Sequence, residues 1–337
     1  MTDRTGLMQA FIAATDWAGA AVAPLAGDAS NRRYLRLTHA TTGTSAVLMD
    51  APPERGEDVR PFLHISRTLS GLGLSAPQIL AQDEAHGFLI LEDLGDALFA
   101  RVIPIAPQME EPLYAAATDV LIDLHRAPPP EGLKPYGPDI MTEMAALAFD
   151  WYLTGATGEN SPQRAEALAA LHSLLRQHAG TTDVLVLRDY HAENLLWLPG
   201  RIGAARVGLL DFQDAMTGHR AYDLVSVLQD ARRDVPLSIE TAMITRYCAA
   251  TGTDQTTFEA AYHCLGAQRN LRILGVFARL CLRDGKAHYI DLMPRVWDHL
   301  QRDLDHPALA PVADLLRRAL PAPTPAIRER LRAQCAQ

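Results

Sequence analysis

Residues 187–201 read LRDYHAENLLWLPGR, and residues 209–214 read LLDFQD. Asp189 and Asn194 stand five apart, and behind Asn194 come an apolar run (Leu195 to Leu198), a Pro-Gly turn, a second apolar run (Val207 to Leu210) and then Asp211. Two short apolar runs on either side of a Pro-Gly-containing turn predict a β-hairpin. Such a hairpin carries Asn194 and Asp211 to one end. One amide oxygen and one carboxylate are the hard oxygen ligands that a small divalent cation takes while keeping several waters. A further carboxylate, Asp189, waits on the preceding loop.

Working outward toward the N-terminus, residues 7–20 show an apolar face (Leu7, Phe11, Ala14, Ala18) that predicts a helix. Val22 to Ala26, Arg33 to Thr38 and Ser45 to Asp50 then read as three short antiparallel strands, broken by GDASN and THATTGT. Pro61 to Leu72 carries a helical stripe (Phe62, Ile65, Leu69, Leu72) that stops at Gly-Leu-Gly. Two more strand candidates follow, Gln78 to Gln82 and Gly87 to Leu91. From Glu92 onward the pattern turns helical: Glu110 to His125, Asp139 to Leu153 and Gln163 to His178, with a proline-rich connector over residues 127–138. Only Val184 to Leu187 and the two hairpin runs interrupt it. Beyond Ala221 the chain reads as helix nearly to its end, including Phe258 to Leu282, Ile290 to Asp303 and Ala326 to Gln334.

Phosphoryl transfer needs a carboxylate that orients and deprotonates an attacking hydroxyl, together with an Asn oxygen and another carboxylate that hold Mg²⁺ against nucleotide phosphates. The spacing D-x-x-x-x-N followed by D-F resembles the catalytic and metal-binding loops of the protein-kinase-like superfamily. Within it, LRDYHAEN resembles the aminoglycoside phosphotransferase and choline kinase branch. GDASNRRYLRL (residues 27–37), VLMDAPPE (47–54), LRDYHAENLLWLPGR (187–201), LLDFQDAMTGHRAYDLVSVLQDARRDVP (209–236) and QRNLRILGVFARL (268–280) are similar, in order, to the N-acetylmuramate/N-acetylglucosamine anomeric kinases. The resemblance implies an α+β, protein-kinase-like bilobal fold: an N-lobe of small antiparallel sheet and helix over 1–91, a hinge at 92–96, and a mainly helical C-lobe over 97–337 that carries the acceptor pocket. It further implies ATP and Mg²⁺ as cofactors, a small-molecule sugar as partner and phosphorylation of its anomeric hydroxyl in cell-wall sugar recycling. Asp189 is then the catalytic base, Asn194 and Asp211 the metal ligands, and Asp223 the buried residue that holds the catalytic loop.

The chain departs from the kinase pattern at one place. Kinases place a phosphate-pairing lysine on the third small-lobe strand, yet the chain has lysine only at Lys134 and Lys286, and that strand reads AVLMD. Arg32 and Arg33 follow the candidate phosphate loop, and strand alternation turns one of them inward, where a guanidinium fork replaces the missing cation. The backbone of Gly27, Ala29, Ser30 and Asn31 offers N–H groups to a phosphate. Glu92 and Leu94, at the strand end that resembles a hinge, would offer backbone to the adenine edge. His191 is expected to brace the catalytic loop rather than to transfer protons. Arg269 and Arg272, three apart on one helix face, suit either an anionic substrate group or solvent.

Composition narrows the alternatives. Forty acidic against 31 basic residues give a formal net charge of −9 over 337 residues, which disfavours non-specific nucleic-acid binding and leads us to expect two lobes. The four cysteines share no C-x-x-C spacing, so neither a zinc site nor a disulfide is expected, and a reducing compartment is. The N-terminus lacks a basic-then-apolar leader and no run of eighteen apolar residues occurs, so the expectation is a cytoplasmic protein with no membrane partner. Two other functions remain open on sequence: another aminoglycoside, choline or amino-alcohol phosphotransferase of the same fold, and a non-catalytic pseudokinase or scaffold suggested by the absent lysine. The oligomeric state is not encoded in any of these features.

Overall fold

The computed structural model describes residues 4–25 and 31–336. They pack into two units, one made of residues 1–120 and 193–215 and the other of 121–192 and 216–337. The fold is α+β, as expected.

The first unit is built on a five-stranded antiparallel sheet in the order β1-β2-β3-β5-β4: β1 (Ala21–Pro24), β2 (Arg33–Thr38), β3 (Ser45–Asp50), β4 (Ile79–Asp83) and β5 (Phe88–Glu92). Period-two alternation sorts its side chains. Leu37, Ala46, Leu48, Phe88 and Ile90 point to one face and bury against Ile12 and Phe11 of α1 (Arg4–Ala13), where Phe11 stacks on Phe88 at 5.7 Å. The helix expected over 7–20 stops at Ala13 because the Thr15 hydroxyl turns back onto the Ile12 carbonyl (2.9 Å) and accepts the Trp17 amide (3.2 Å), a local turn that competes with the helical ladder. Between β3 and β4 lies α2 (Arg60–Gly71), within a residue or so of its expected bounds.

A second hairpin belongs to this unit. β6 (Val184–Val186) precedes it in the chain, and β7 (Leu195–Trp197) then pairs antiparallel with β8 (Val207–Leu209), as the apolar runs foretold. The hairpin is stitched to the sheet segment on both sides: the Trp197 amide donates to the Ala97 carbonyl (2.8 Å) and the Leu209 amide to the Ser75 carbonyl (2.9 Å). These bonds are why residues 193–215 group with the N-terminal segment, whereas the sequence reading drew its line at 92–96. α3 (Phe99–Ile105) follows the sheet, and the unit boundary falls within α4 (Glu110–Leu124).

The second unit is helical: α5 (Pro138–Leu147) running into a π turn, the short α6 (Thr154–Thr157), α7 (Arg164–His178), α8 (Tyr222–Leu228), α9 (Leu237–Thr251), α10 (Gln255–Leu282), α11 (Met293–Leu304), α12 (Ala310–Ala319) and α13 (Pro325–Ala333). α10 runs through its middle, with Leu265, Leu271, Leu274 and Ala278 fully buried. Gly275 is required there, since a Cβ at that position would lie 2.2 Å from the Leu147 carbonyl carbon of α5. The remaining strands, β6 and β9 (Met216–Gly218), pair antiparallel. Cys281 and Cys335 form a disulfide, which corrects the expectation of none: the partners are 54 residues apart and belong to no local motif. No helix among the described residues is long and apolar enough to cross a membrane.

Candidate active site

Within the first unit, the sheet face opposite α1 borders a cavity of about 410 Å³. Val47, Met49 and Leu91 from the sheet, Leu94 after it, and Leu196 and Leu210 from the hairpin give it apolar walls. Glu92, Asp93, Asp96, Arg36, Asn194 and Asp211 supply its polar rim. An apolar slot with a few convergent polar groups suits a flat aromatic base joined to a charged tail. Glu92 and Leu94, whose backbone the sequence reading offered to an adenine edge, both line this slot. The Glu92 amide is already donated to the Gln78 carbonyl (2.8 Å), and its carboxylate is held by Arg201.

Asn194 and Asp211 are brought together. The hairpin register sets Leu195 against Leu209, and the Leu210 amide donates to the Asn194 carbonyl at 3.0 Å, so Asn194 faces the residue immediately before Asp211. Asp211 has a left-handed backbone (φ 57°), a conformation that Asp tolerates better than most residues and that clusters at functional turns. Its neighbour Phe212 is buried and stacks on Phe62 of α2 at 4.8 Å, fixing the turn. Gln213 Nε2 donates to Asp211 Oδ1 (2.7 Å), while Gln213 Oε1 is buried with no donor among the described residues. An amide oxygen, a carboxylate and an orphaned buried oxygen fit a hard divalent cation and its water.

Strand alternation settles the two arginines. Arg33 lies on the α1 side, where it pairs with the buried Asp50 (Nε to Oδ2, 3.0 Å) beside Arg4, so it is turned away from the cavity. Arg32 shares the face of Tyr34 and Arg36. Its Nε is 2.7 Å from Glu57 Oε2, with both side chains about one-eighth exposed, and although burial works against its charge, Tyr34 and Glu57 raise its pKa overall. Asn31 joins the same acid, its amide donating to Glu57 Oε1 (3.2 Å). Gly27, Ala29 and Ser30, also named from sequence, lie outside the described residues. Glu57 and Arg36 were missed. Arg36 is clamped to Asp93 (2.7 Å) and Asp96 (3.0 Å), and alternation from Arg32 through Tyr34 was the signal for it; Glu57 had no local signal, because its role depends on a contact 25 residues away.

Asp189 belongs to the second unit, on the loop after β6. The wholly buried Asp223 of α8 accepts the amides of Leu187 (2.6 Å) and Arg188 (2.9 Å), the two residues before Asp189. These bonds hold a loop whose Arg188 backbone is left-handed (φ 69°). Ser226, one turn along α8, donates to the Arg188 carbonyl (3.3 Å) and accepts from Arg269 (2.8 Å). Burial, aided by Arg232, pushes the His191 imidazole down to about 3, so it is neutral near pH 7 and unsuited to take up a proton there.

A sheet-borne cavity with hairpin-held oxygens, joined in one chain to a helical unit that carries a braced Asp loop, is the architecture of kinase-like phosphotransferases. The chain belongs to the phosphotransferase enzyme family, whose profile matches residues 21–262. An N-acetylmuramate/N-acetylglucosamine kinase of Caulobacter vibrioides is 40% identical over 96% of this chain and 98% of its own. One of the same name from Pseudomonas aeruginosa is 35% identical over 87% of each. Among solved structures, an aminoglycoside phosphotransferase in complex with GDP and kanamycin superposes with a TM-score of 0.62 at 14% identity, covering 88% of this chain and 98% of the other. A microcompartment-associated aminopropanol kinase gives 0.61 at 15%, covering 92% and 99%.

Proposed function

We propose that this phosphotransferase is an ATP-dependent kinase that acts on the anomeric hydroxyl of N-acetylmuramate and N-acetylglucosamine, in the cytoplasm, where ATP is available, and in cell-wall sugar recycling. The observation that carries the reading is the 40% identity kept over 96% of the chain, which takes in both units. Asp189 orients the sugar hydroxyl and accepts its proton, on a loop that Asp223 holds in place. Asn194 and Asp211 hold Mg²⁺, with Gln213 steadying the Asp211 carboxylate. When bound, the metal neutralises phosphate charge. Arg32, pinned by Glu57, meets the phosphates in place of the missing lysine. The base sits in the apolar slot against the backbone of Glu92 and Leu94.

The test is an assay of sugars and amino alcohols with ATP that identifies the phosphorylated hydroxyl. Turnover of the two sugars at the anomeric position is expected, and phosphorylation of an amino alcohol instead would refute the reading. Asp189→Asn should lower turnover by about 10²-fold or more with folding intact, the scale of losing a general base. Near wild-type turnover would remove Asp189 from the mechanism.

A further inference from the structure

On α10, two arginines lie side by side without a carboxylate in direct contact among the described residues. Arg269 and Arg272 lie three apart on one helix face, and among the described residues neither forms an ion pair with an Asp or Glu. Arg269 is 5% exposed, donates to Ser226 Oγ (2.8 Å) and more distantly to the Gln229 carbonyl (3.4 Å), and keeps a buried Nε hydrogen that meets no acceptor among the described residues. Arg272 is partly exposed and donates to the Tyr222 hydroxyl at 3.3 Å. A third guanidinium, that of Arg188, stands over the ring of Tyr136 at 5.3 Å, and Tyr136 meets Tyr222 edge to face at 5.0 Å. The negative charge of Asp189 bears on both helix arginines from a distance, and that of Asp230 on Arg269 as well.

Cations held out of water beside one another are costly unless an anion is brought to them. Arg269 is spoken for, since through Ser226 it fixes the Arg188 carbonyl at the start of the catalytic loop. Arg272 is different: it is reachable, its hydrogen bond is to a neutral hydroxyl, and its planar fork matches a carboxylate. The two proposed acceptors differ in that N-acetylmuramate bears a carboxylate-carrying substituent and N-acetylglucosamine does not. We infer that Arg272, backed by Arg269 and flanked by Tyr136 and Tyr222, takes the acceptor's carboxylate and so sets the preference between the two sugars. The inference rests on the acceptor reading above and names the side chain that would implement it.

The test compares steady-state kinetics of the wild-type protein, Arg272→Gln and Arg272→Lys on N-acetylmuramate, its methyl ester and N-acetylglucosamine. In Arg272→Gln the KM for N-acetylmuramate should rise about tenfold or more, the scale on which a site built for a polar group discriminates, and the KM for N-acetylglucosamine should rise far less. Arg272→Lys should recover part of the loss, because it restores charge without the fork. The methyl ester needs no variant, so misfolding cannot confuse it: wild-type protein should handle the ester less well than the acid. Equal KM for acid and ester would overturn the inference, as would equal losses on both sugars. A raised KM for ATP with both sugar KM values unmoved would assign Arg272 to a nucleotide phosphate instead and overturn it too. Wild-type protein that phosphorylates neither sugar would overturn the acceptor reading itself, and the inference with it.

Discussion

Arg32 and Glu57 form an ion pair at 2.7 Å beside the start of β2, with each side chain 12% exposed. A cation just before β2 is thus tethered to an acid that precedes α2, in a lobe that has no lysine. Arg32→Ala should weaken ATP binding or slow transfer by about 1.5–3 kcal/mol, the range for a hydrogen bond to a charged group. Arg33→Ala should leave both nearly unchanged and instead lower thermal stability, because Arg33 serves the buried Asp50 on the opposite face. ATP affinity, turnover and Tm of the two single variants decide it. Equal, small kinetic effects from both would return Arg32 to the role of a structural ion pair.

The left-handed backbone of Asp211 shapes the choice of metal-site variant. Alanine there would add roughly 1–2 kcal/mol of backbone cost, which would blur the reading, whereas Asn tolerates the same conformation. Asp211→Asn should therefore keep its melting temperature close to that of the wild type, abolish turnover and erase the Mg²⁺-dependent part of the thermal shift produced by ATP. A variant whose ATP shift still depends on Mg²⁺ would remove Asp211 from the ligand set.

Asp223 has two buried amides to satisfy. Asp223→Ala strands the N–H groups of Leu187 and Arg188, at about 1–3 kcal/mol for each donor left without a partner. Asp223→Asn keeps one acceptor oxygen but presents an NH₂ to the other amide. It should fold, lose less stability than the alanine variant, and still lose turnover with little change in ATP affinity, since the loop it steadies carries Asp189. Urea unfolding paired with kinetics separates these effects, and full turnover in Asp223→Asn would show that the loop holds its shape unaided.

The elements were legible in the sequence wherever one period dominated. The alternation in Arg33 to Thr38 and Ser45 to Asp50 and the stripe Phe62, Ile65, Leu69 each fall in an observed strand or helix. The Asn194–Asp211 end was readable because the hairpin is local and its turn is written in Pro199 and Gly200. What escaped depends on contacts distant in sequence. Glu57 reaches Arg32 and Cys281 meets Cys335, and no spacing rule connects either pair; alternation could place Arg36 on its face but not name Asp93 and Asp96 as its partners. Helix 1 ended early for a subtler reason, because Thr15 competes for the backbone in a stretch whose apolar pattern continues.

A pH dependence follows from His125, whose Nδ1 is 2.7 Å from the Tyr247 hydroxyl. Burial, with Arg220 nearby, pushes its pKa down to about 3, against about 6.5 in an unfolded chain. The folded state therefore resists a proton that the unfolded chain accepts. The sign is that this group's stability is fully present above about pH 6.5 and is lost as pH falls from there toward 3, at about 1.4 kcal/mol per pH unit. His191, His219 and His299 are depressed in the same direction, so the wild-type curve alone does not isolate one of them. His125→Gln does, because Gln can still accept from Tyr247 but cannot be protonated. At pH 7.5 the variant should be less stable by about 1 kcal/mol, the usual net worth of one perturbed hydrogen bond. Between pH 6.5 and 5 the gap should close and then reverse, as the wild type sheds stability through one more proton than the variant. Urea unfolding of both proteins at half-unit steps measures it, and parallel pH slopes would mean that His125 is not held neutral by the fold.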